Sequence, residues 1–397
     1  MLFKLVYASA CEMLTPRPLD HHDIAVTTPG TPDLIIVGAG VVGLAHAYEA
    51  HRRGLRVLVL ERDDRAVGAS VRNFGHVCTT GQDGQGLEYA REARERWLHL
   101  SELAGFEVTQ RGTVVVARTG AELAVLEEFA EHRGRDEAAP LTAAQVEQRL
   151  GWLPPETVGG SLLPLDLRVD PRAAVPAVAA WLRTQGVDIR FGVNVGHIAD
   201  GTVLTSVGTF HAPKVVHCVG HDVDRLFPTI GEKYEIRRCR LQMFEVAPPV
   251  AEPIGPAVFT GTSLLRYGGF AAMPSSEKVR AAFTSTQPEL LDIGLNLMLT
   301  QRPDGSVVLG DSHHYERTNP PFDDESVASI LLREGERLLG QPITVRKRWR
   351  GVYASSSLTD FVIEPADPRT WVVSVTSGIG MTTGLGLAPA ALDQILA

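Results

Sequence analysis

The chain is short of cysteine, carries no basic excess and has no long apolar run, and each shortage closes a class of reading. Only four cysteines occur in 397 residues. Cys11, Cys78, Cys218 and Cys239 lie far apart and form no C-x-x-C pair, so neither a zinc site nor a disulfide framework is expected. That usage suits a reduced, cytoplasmic protein. Lys and Arg number 38 against 47 Asp and Glu, a formal net charge of −9. A nucleic-acid binder presents a basic face to phosphate, so that class is set aside. No apolar run approaches the roughly 18–20 residues that cross a bilayer as a helix. The H-E-x-x-H, G-x-S-x-G and P-loop patterns are missing as well, and no metal is expected.

Glycine, by contrast, is abundant at 38 residues, which suits a fold with many tight turns and close backbone approaches. The length exceeds one compact core and suits two interlocked domains. Residues 1–30 read as an N-terminal extension. Their apolar start, Met1 to Tyr7, is broken at Lys4, Glu12 follows, and no good cleavage signal appears, which makes a poor signal peptide.

The first clear element is the apolar run Leu34-Ile35-Ile36-Val37, which reads as a buried parallel strand. Gly38-Ala39-Gly40-Val41-Val42-Gly43 follows, then a helix from Leu44 to Ala50 and a second strand, Val57 to Leu60. G-x-G-x-x-G is weak alone, but here it sits between a strand and a helix. Gly38 permits the tight turn, Gly40 the approach of a pyrophosphate, and Gly43 the close packing of helix on strand. Val42 belongs to the same turn, at the helix N-terminus that favours phosphate. Glu61 ends the second strand, eighteen residues after Gly43, with Arg62 beside it. A carboxylate there accepts from a ribose diol and repels a 2′-phosphate, which fits FAD or NAD.

The far end of the chain separates these two. Ser377-Gly378-Ile379-Gly380-Met381-Thr382-Thr383-Gly384 precedes a last helix, expected over residues 388–396. Backbone N–H groups of Gly378, Gly380, Met381 and Thr382 suit the N1/C2=O edge of a flavin, where negative charge gathers on reduction. FAD is therefore the expected cofactor.

Between these ends the pattern alternates. Helical stretches are expected at 88–103 and 121–131, a strand at 112–117, and a helix opened by Asp170 as N-cap with Pro171 in its first turn. Strands are expected at 187–191 and 214–220, the latter ending in Gly220, and at 371–375. Residues 235–345 are richer in strand-like alternation, including 241–246, 270–273 and 306–310. The fold class is α/β: a Rossmann-type FAD-binding domain built from discontinuous segments, 31–82, 154–228 and 346–397, plus an α+β substrate domain with a mostly antiparallel sheet, 83–153 and 229–345.

Taken in order, these landmarks resemble the D-amino-acid oxidase, glycine oxidase and sarcosine oxidase family of FAD enzymes. They are the fingerprint with Glu61-Arg62, Gly68-Ala69-Ser70, Arg168-Val169-Asp170-Pro171, Val215 to Gly220, and Gly378 to Leu387. A closer resemblance, to phosphonate-associated FAD-dependent oxidoreductases, rests on Ala69 to His76, Thr260 to Tyr267 and Gly310 to Tyr315. It implies oxidation of an aminophosphonate related to 2-aminoethylphosphonate, N-methylated forms included. Ser70, Arg72 and Asn73 are then expected near the cofactor, Val195 beside the adenine, and His76 near the ring or substrate, with a structural His76 an equal alternative. The flavin is expected to be held non-covalently.

One departure from the wider family bears on substrate. Glycine oxidase-like members carry W-x-G-L-R-P, whose arginine grips an α-carboxylate as a fork. This chain reads Trp349-Arg350-Gly351-Val352-Tyr353-Ala354, so Tyr353 replaces that arginine. Arg266, beside Tyr267, becomes the expected anion anchor, with His313 and His314 behind it; an interdomain salt bridge is the alternative for Arg266. The expected partners are a small amine substrate and molecular oxygen or another electron acceptor. D-amino acid, glycine or sarcosine oxidation is the alternative reaction. A carrier-coupled dehydrogenase, or a flavin-bound protein without turnover, also remains open.

Overall fold

The computed structural model describes residues 30–397 apart from residue 251. Strand Leu34–Val37 is buried at all four positions, because both its neighbours pair with it in parallel, helices cover the face of Leu34 and Ile36, and a small three-stranded sheet carrying Ile198 and Val203 covers the face of Ile35 and Val37. Val57–Leu60 lies on one side and Lys214–His217 on the other. Helix Val41–Arg52 makes the crossover between the first two strands. Asp188–Arg190 extends the sheet beyond Val57–Leu60, and Thr370–Val375 extends it beyond Lys214–His217. Phe361–Asp367 closes this six-stranded sheet as an antiparallel edge. Helix Pro171–Thr184 packs on it, and the Asp170 carboxylate caps that helix by accepting from the Arg172 N–H.

A second, nine-stranded sheet is mostly antiparallel, with one parallel pair, Thr113–Ala117 against Ala257–Phe259. Its longest pairing joins Arg237–Val246 to Val345–Ser355. Helix Glu325–Leu339 buries Val327, Leu331 and Leu338 in this sheet's core.

Four expectations need correction. Strands Gly159–Leu163 and Val345–Ser355 hydrogen-bond into the larger sheet, although both fell in segments expected to serve the cofactor. Residues 270–273 are not a strand: Gly268–Ala271 forms a helical turn whose Phe270 packs against Phe129 at 4.4 Å between ring centroids. Helices Ser276–Thr286 and Glu325–Leu339 interrupt the stretch expected to be strand-rich. The last helix runs Gly380–Leu396, so it starts inside the glycine-rich run. Gly386 serves packing: a Cβ on it would lie 2.1 Å from the Tyr89 carbonyl oxygen of helix Gly84–Ala104. The expected extension, residues 1–30, lies outside the described residues except for Gly30. Among the described residues no helix is long and apolar enough to cross a membrane.

Candidate active site

A cavity of about 1220 Å³ runs from the turn after Leu34–Val37 to the N-terminus of helix Gly380–Leu396 and on to Arg266. It exceeds the roughly 300–1,000 Å³ of an ordinary small-ligand pocket, as a dinucleotide plus a substrate requires.

At its nucleotide end Gly38 holds φ +104, and a Cβ there would lie 2.5 Å from the Cys218 carbonyl oxygen. A Cβ on Gly43 would lie 1.9 Å from the Gly38 carbonyl oxygen, so Gly43 does not line the cavity but seats the helix on the strand. Gly40 is the N-cap of that helix and has no side chain to cap it, and no acidic residue occupies its first turn. Its N-terminal dipole therefore points into the cavity beside Val42, which lines it. Ser70 Oγ accepts from the Val41 N–H at 2.8 Å and fixes the turn. Glu61 accepts from the Ala39 N–H at 2.8 Å and the Asp63 N–H at 3.1 Å. Each carboxylate oxygen keeps a lone pair for a ribose diol.

Other expected residues sit around this end with different duties. Arg62 is at the rim, paired with Asp222 at 2.9 Å. Asn73 donates to the Ala69 carbonyl and accepts from the Gly75 N–H, so its side chain is spent on its own turn. Arg72 reaches only the Arg350 carbonyl, at 3.4 Å. Val195 and Gly220, the latter at φ +64, line the wall.

At the other end, helix Gly380–Leu396 also begins without a side-chain cap or an acidic first turn. Gly378, Gly380, Met381 and Thr382 all line the cavity there. The Trp97 indole N–H donates to the Met381 carbonyl at 2.8 Å, and the Cys78 N–H donates to Thr382 Oγ1 at 3.1 Å. Two helix N-termini without acidic first turns, facing one long cavity with a glycine cradle and a carboxylate at ribose depth, fit FAD.

Past the second helix N-terminus the wall becomes rich in donors. Arg266 donates to Tyr353 Oη at 2.7 Å and to Tyr315 Oη at 3.0 Å, with the Ser377 carbonyl at 3.5 Å. Its partners are two phenols and a carbonyl, not a carboxylate, so the interdomain salt bridge does not form. Each phenol that accepts from Arg266 still has its own proton to donate, and burial holds both phenols above their usual pKa, hence neutral. The Tyr353 ring lies against Gly378, where a Cβ would come within 2.8 Å of it. Tyr267 stacks on Phe259 at 4.8 Å. His313 donates from Nδ1 to the Gly294 carbonyl at 2.8 Å, which leaves Nε2 bare. Burial, with Arg266 nearby, presses its pKa well below the usual imidazole value, so it is neutral.

His76 lines the cavity, but its Nε2 is engaged with Thr113 Oγ1 at 2.7 Å and Asp166 Oδ2 at 3.2 Å. His76, Cys78 and Asp166 hold their potential ligand atoms within 4.8 Å of one another; the hydrogen bonds to Thr113 and the Thr80 N–H account for that closeness. His314 falls outside the cavity, in strand His314–Glu316 opposite Arg240. Arg346, Lys347 and Arg348 lie in strand Val345–Ser355 outside the cavity, with Lys347 on Glu245 and Arg348 on Glu325.

Sequence reasoning gave no role to Asp311, Tyr315 or Asn296, all of which line the substrate end. The available signal was the position of Asp311 and Tyr315 just after strand Val307–Gly310, a strand end opening on a cavity.

Known proteins carry related sequences and the same fold. One of the subunits of opine oxidase from Rhizobium meliloti is 29% identical over 221 residues, covering 50% of this chain and 59% of that one, so the chain spans less than two thirds of that relative. L-proline dehydrogenase from P. horikoshii superposes with a TM-score of 0.75 at 17% identity, over 92% of this chain and 94% of that one. Glycine oxidase from Geobacillus kaustophilus gives 0.71 at 20%, over 92% and 95%. Both structural likenesses are of fold. A family model described as "DAO: FAD dependent oxidoreductase" matches residues 33–393. The chain belongs to this DAO family of FAD-dependent oxidoreductases, and FAD is its cofactor.

Proposed function

We propose that the protein oxidises a small amine bearing an anionic group, best an aminophosphonate such as 2-aminoethylphosphonate or its N-methyl form. The product imine hydrolyses in water to an aldehyde and an amine or ammonia. The donor cluster of Arg266, Tyr353 and Tyr315 carries this reading. A guanidinium and two phenol O–H groups present donors and almost no acceptor, the complement of a group with three acceptor oxygens and up to two charges. The same fork matches a carboxylate, and the relatives are named for opines, proline and glycine, so a D-amino acid, glycine or sarcosine is the second reading.

Bound FAD supplies the two-electron, hydride-accepting chemistry. The N–H groups at the start of Val41–Arg52 would hold its pyrophosphate, Glu61 its ribose, and those at the start of Gly380–Leu396 its ring. Arg266, Tyr353 and Tyr315 anchor the substrate anion and so orient the carbon that is oxidised. Tyr267, stacked on Phe259, keeps water from that side. His313 presents a bare Nε2 as an acceptor for the amine.

We further propose that the flavin is non-covalent, that oxygen is the acceptor and that the protein is cytoplasmic. The three described cysteines are free and buried, and His76 is committed elsewhere. We assign the cofactor to the six-stranded sheet and the substrate end to the larger one.

A peroxide-coupled screen of 2-aminoethylphosphonate, its N-methyl form, glycine, sarcosine and D-alanine tests the substrate. A higher kcat/KM on the phosphonates is expected; a wide margin for glycine or D-alanine overturns the phosphonate assignment. Slow reoxidation of reduced enzyme in air-saturated buffer would replace oxidase with dehydrogenase. Acid precipitation should release the flavin to the supernatant.

A further inference from the structure

We infer that Asp311 receives the substrate's ammonium group and takes its proton before oxidation. The inference rests on the amine reading above and adds the group that prepares the amine.

Asp311 lines the substrate end of the cavity yet is only 5% exposed. Its main chain is pinned from both sides, its N–H donating to the Asn296 carbonyl at 3.0 Å and its carbonyl accepting from the Asn296 N–H at 2.9 Å. The side chain is therefore held in place, while its Oδ1 is buried and has no hydrogen-bond partner. A buried carboxylate oxygen left open is costly, because it has given up water without gaining a donor. Folds keep such a group where a ligand completes it. The missing partner is a donor, and a cation suits it best. Arg266 shares the cavity and interacts electrostatically with Asp311. An anchor for an anion and an open carboxylate in one cavity fit a zwitterion, with the anionic head on Arg266 and the ammonium on Asp311.

The chemistry requires such a group. An alkylamine near pH 7 is protonated, and its nitrogen then has no electron pair to form the C=N bond. The N–H bond of the ammonium breaks, the proton passes to Asp311 Oδ1 to give a neutral carboxylic acid, and nitrogen keeps the pair. That pair becomes the second C=N bond as the Cα–H bond breaks and hydrogen leaves with its electrons to bound FAD. The imine carries the remaining positive charge until water adds.

The neighbours leave Asp311 as the group that titrates near neutrality. Burial pushes its carboxyl up to about 7 while Arg266 opposes the rise. Arg266 stays charged throughout. Tyr267, Tyr315, Tyr353 and Cys239 are held above their usual values by burial and stay neutral. His313 Nε2, 3.9 Å from Asp311 Oδ2, belongs to a ring held neutral by burial and Arg266, so it accepts a hydrogen bond but is a poor base.

The test is anaerobic stopped-flow reduction of the FAD-loaded enzyme by 2-aminoethylphosphonate and by glycine, across pH, for wild type, Asp311→Asn and Asp311→Ala. Wild type should reach half its limiting rate near pH 7. Both variants should be slower at pH 7 by about 10³-fold and recover about tenfold per pH unit, approaching wild type near the amine's own ionisation, about 10.4 for an alkylamine. Difference infrared spectra of the holoenzyme should show a carboxylic-acid C=O band that titrates near pH 7 in wild type and is missing in Asp311→Asn. Profiles that coincide between wild type and variants, or a wild type without that band, overturn the assignment to Asp311 alone. A wild type that no amine reduces at any pH overturns the amine reading and this inference with it.

Discussion

Replacing Arg266 by methionine removes the fork while keeping an unbranched stem in its place. The guanidinium's two phenol partners can turn to water in the cavity, so folding and FAD binding should change little. A charge-assisted pair in a closed site is worth about 2–5 kcal/mol when one partner is truncated. Because the cavity is open enough to admit water, the middle of that range, about 3–4 kcal/mol, is the better figure, or roughly 10²–10³ in kcat/KM. The loss should fall on substrates with an anionic head. Propylamine and 2-aminoethylphosphonate, compared by anaerobic flavin reduction, separate the effects: the phosphonate should lose its full advantage and propylamine should be unchanged within about threefold. Equal losses on the two amines would refute the anchor and make Arg266 a residue that shapes the cavity.

Other expectations follow from single contacts. Gly43→Ala drives a Cβ into the Gly38 carbonyl, backbone against backbone; FAD should dissociate at least about tenfold more readily by fluorescence titration, and unchanged affinity would refute the packing role. Gly378→Ala would strain a backbone at φ +79 and push the Tyr353 ring off its seat, raising KM for anionic amines; a wild-type KM would refute the contact. Burial holds His46 down to about 4 and His217 to about 3, both below their unfolded values near 6.5. The unfolded chain then binds the extra protons, so stability is full above about pH 6.5 and falls toward pH 4 by about 1.4 kcal/mol per unit for each histidine. Thermal midpoints that stay level between pH 7 and pH 5 would contradict this.

How much of this was readable in the chain depends on how local each signal was. The strand, glycine turn, helix and strand from Leu34 to Glu61 follow from nearest neighbours, and the structure has them within a few residues. The Asp170-Pro171 helix start was equally local. The start of the last helix was misplaced because glycine normally opposes helix; here Gly386 is needed against Tyr89, almost three hundred residues earlier in the chain. Sheet membership of Gly159–Leu163 and Val345–Ser355 depends on partners remote in sequence, which no periodicity encodes. The commitment of His76 was hidden for the same reason, since Asp166 lies ninety residues away. Arg266 was legible from the resemblance over Thr260 to Tyr267 and from the arginine missing at Tyr353, whereas its pairing with the two phenols and the place of Asp311 required the cavity to be assembled.

Anaerobic bleaching of the FAD-loaded protein by 2-aminoethylphosphonate tests the central claim most directly. The account predicts full loss of flavin absorbance on addition of the aminophosphonate, with the aldehyde recovered in a one-to-one ratio to FAD. A flavin that stays oxidised with the aminophosphonate and bleaches with D-alanine or glycine would contradict the assigned substrate, and one that stays oxidised with every amine would contradict amine oxidation itself.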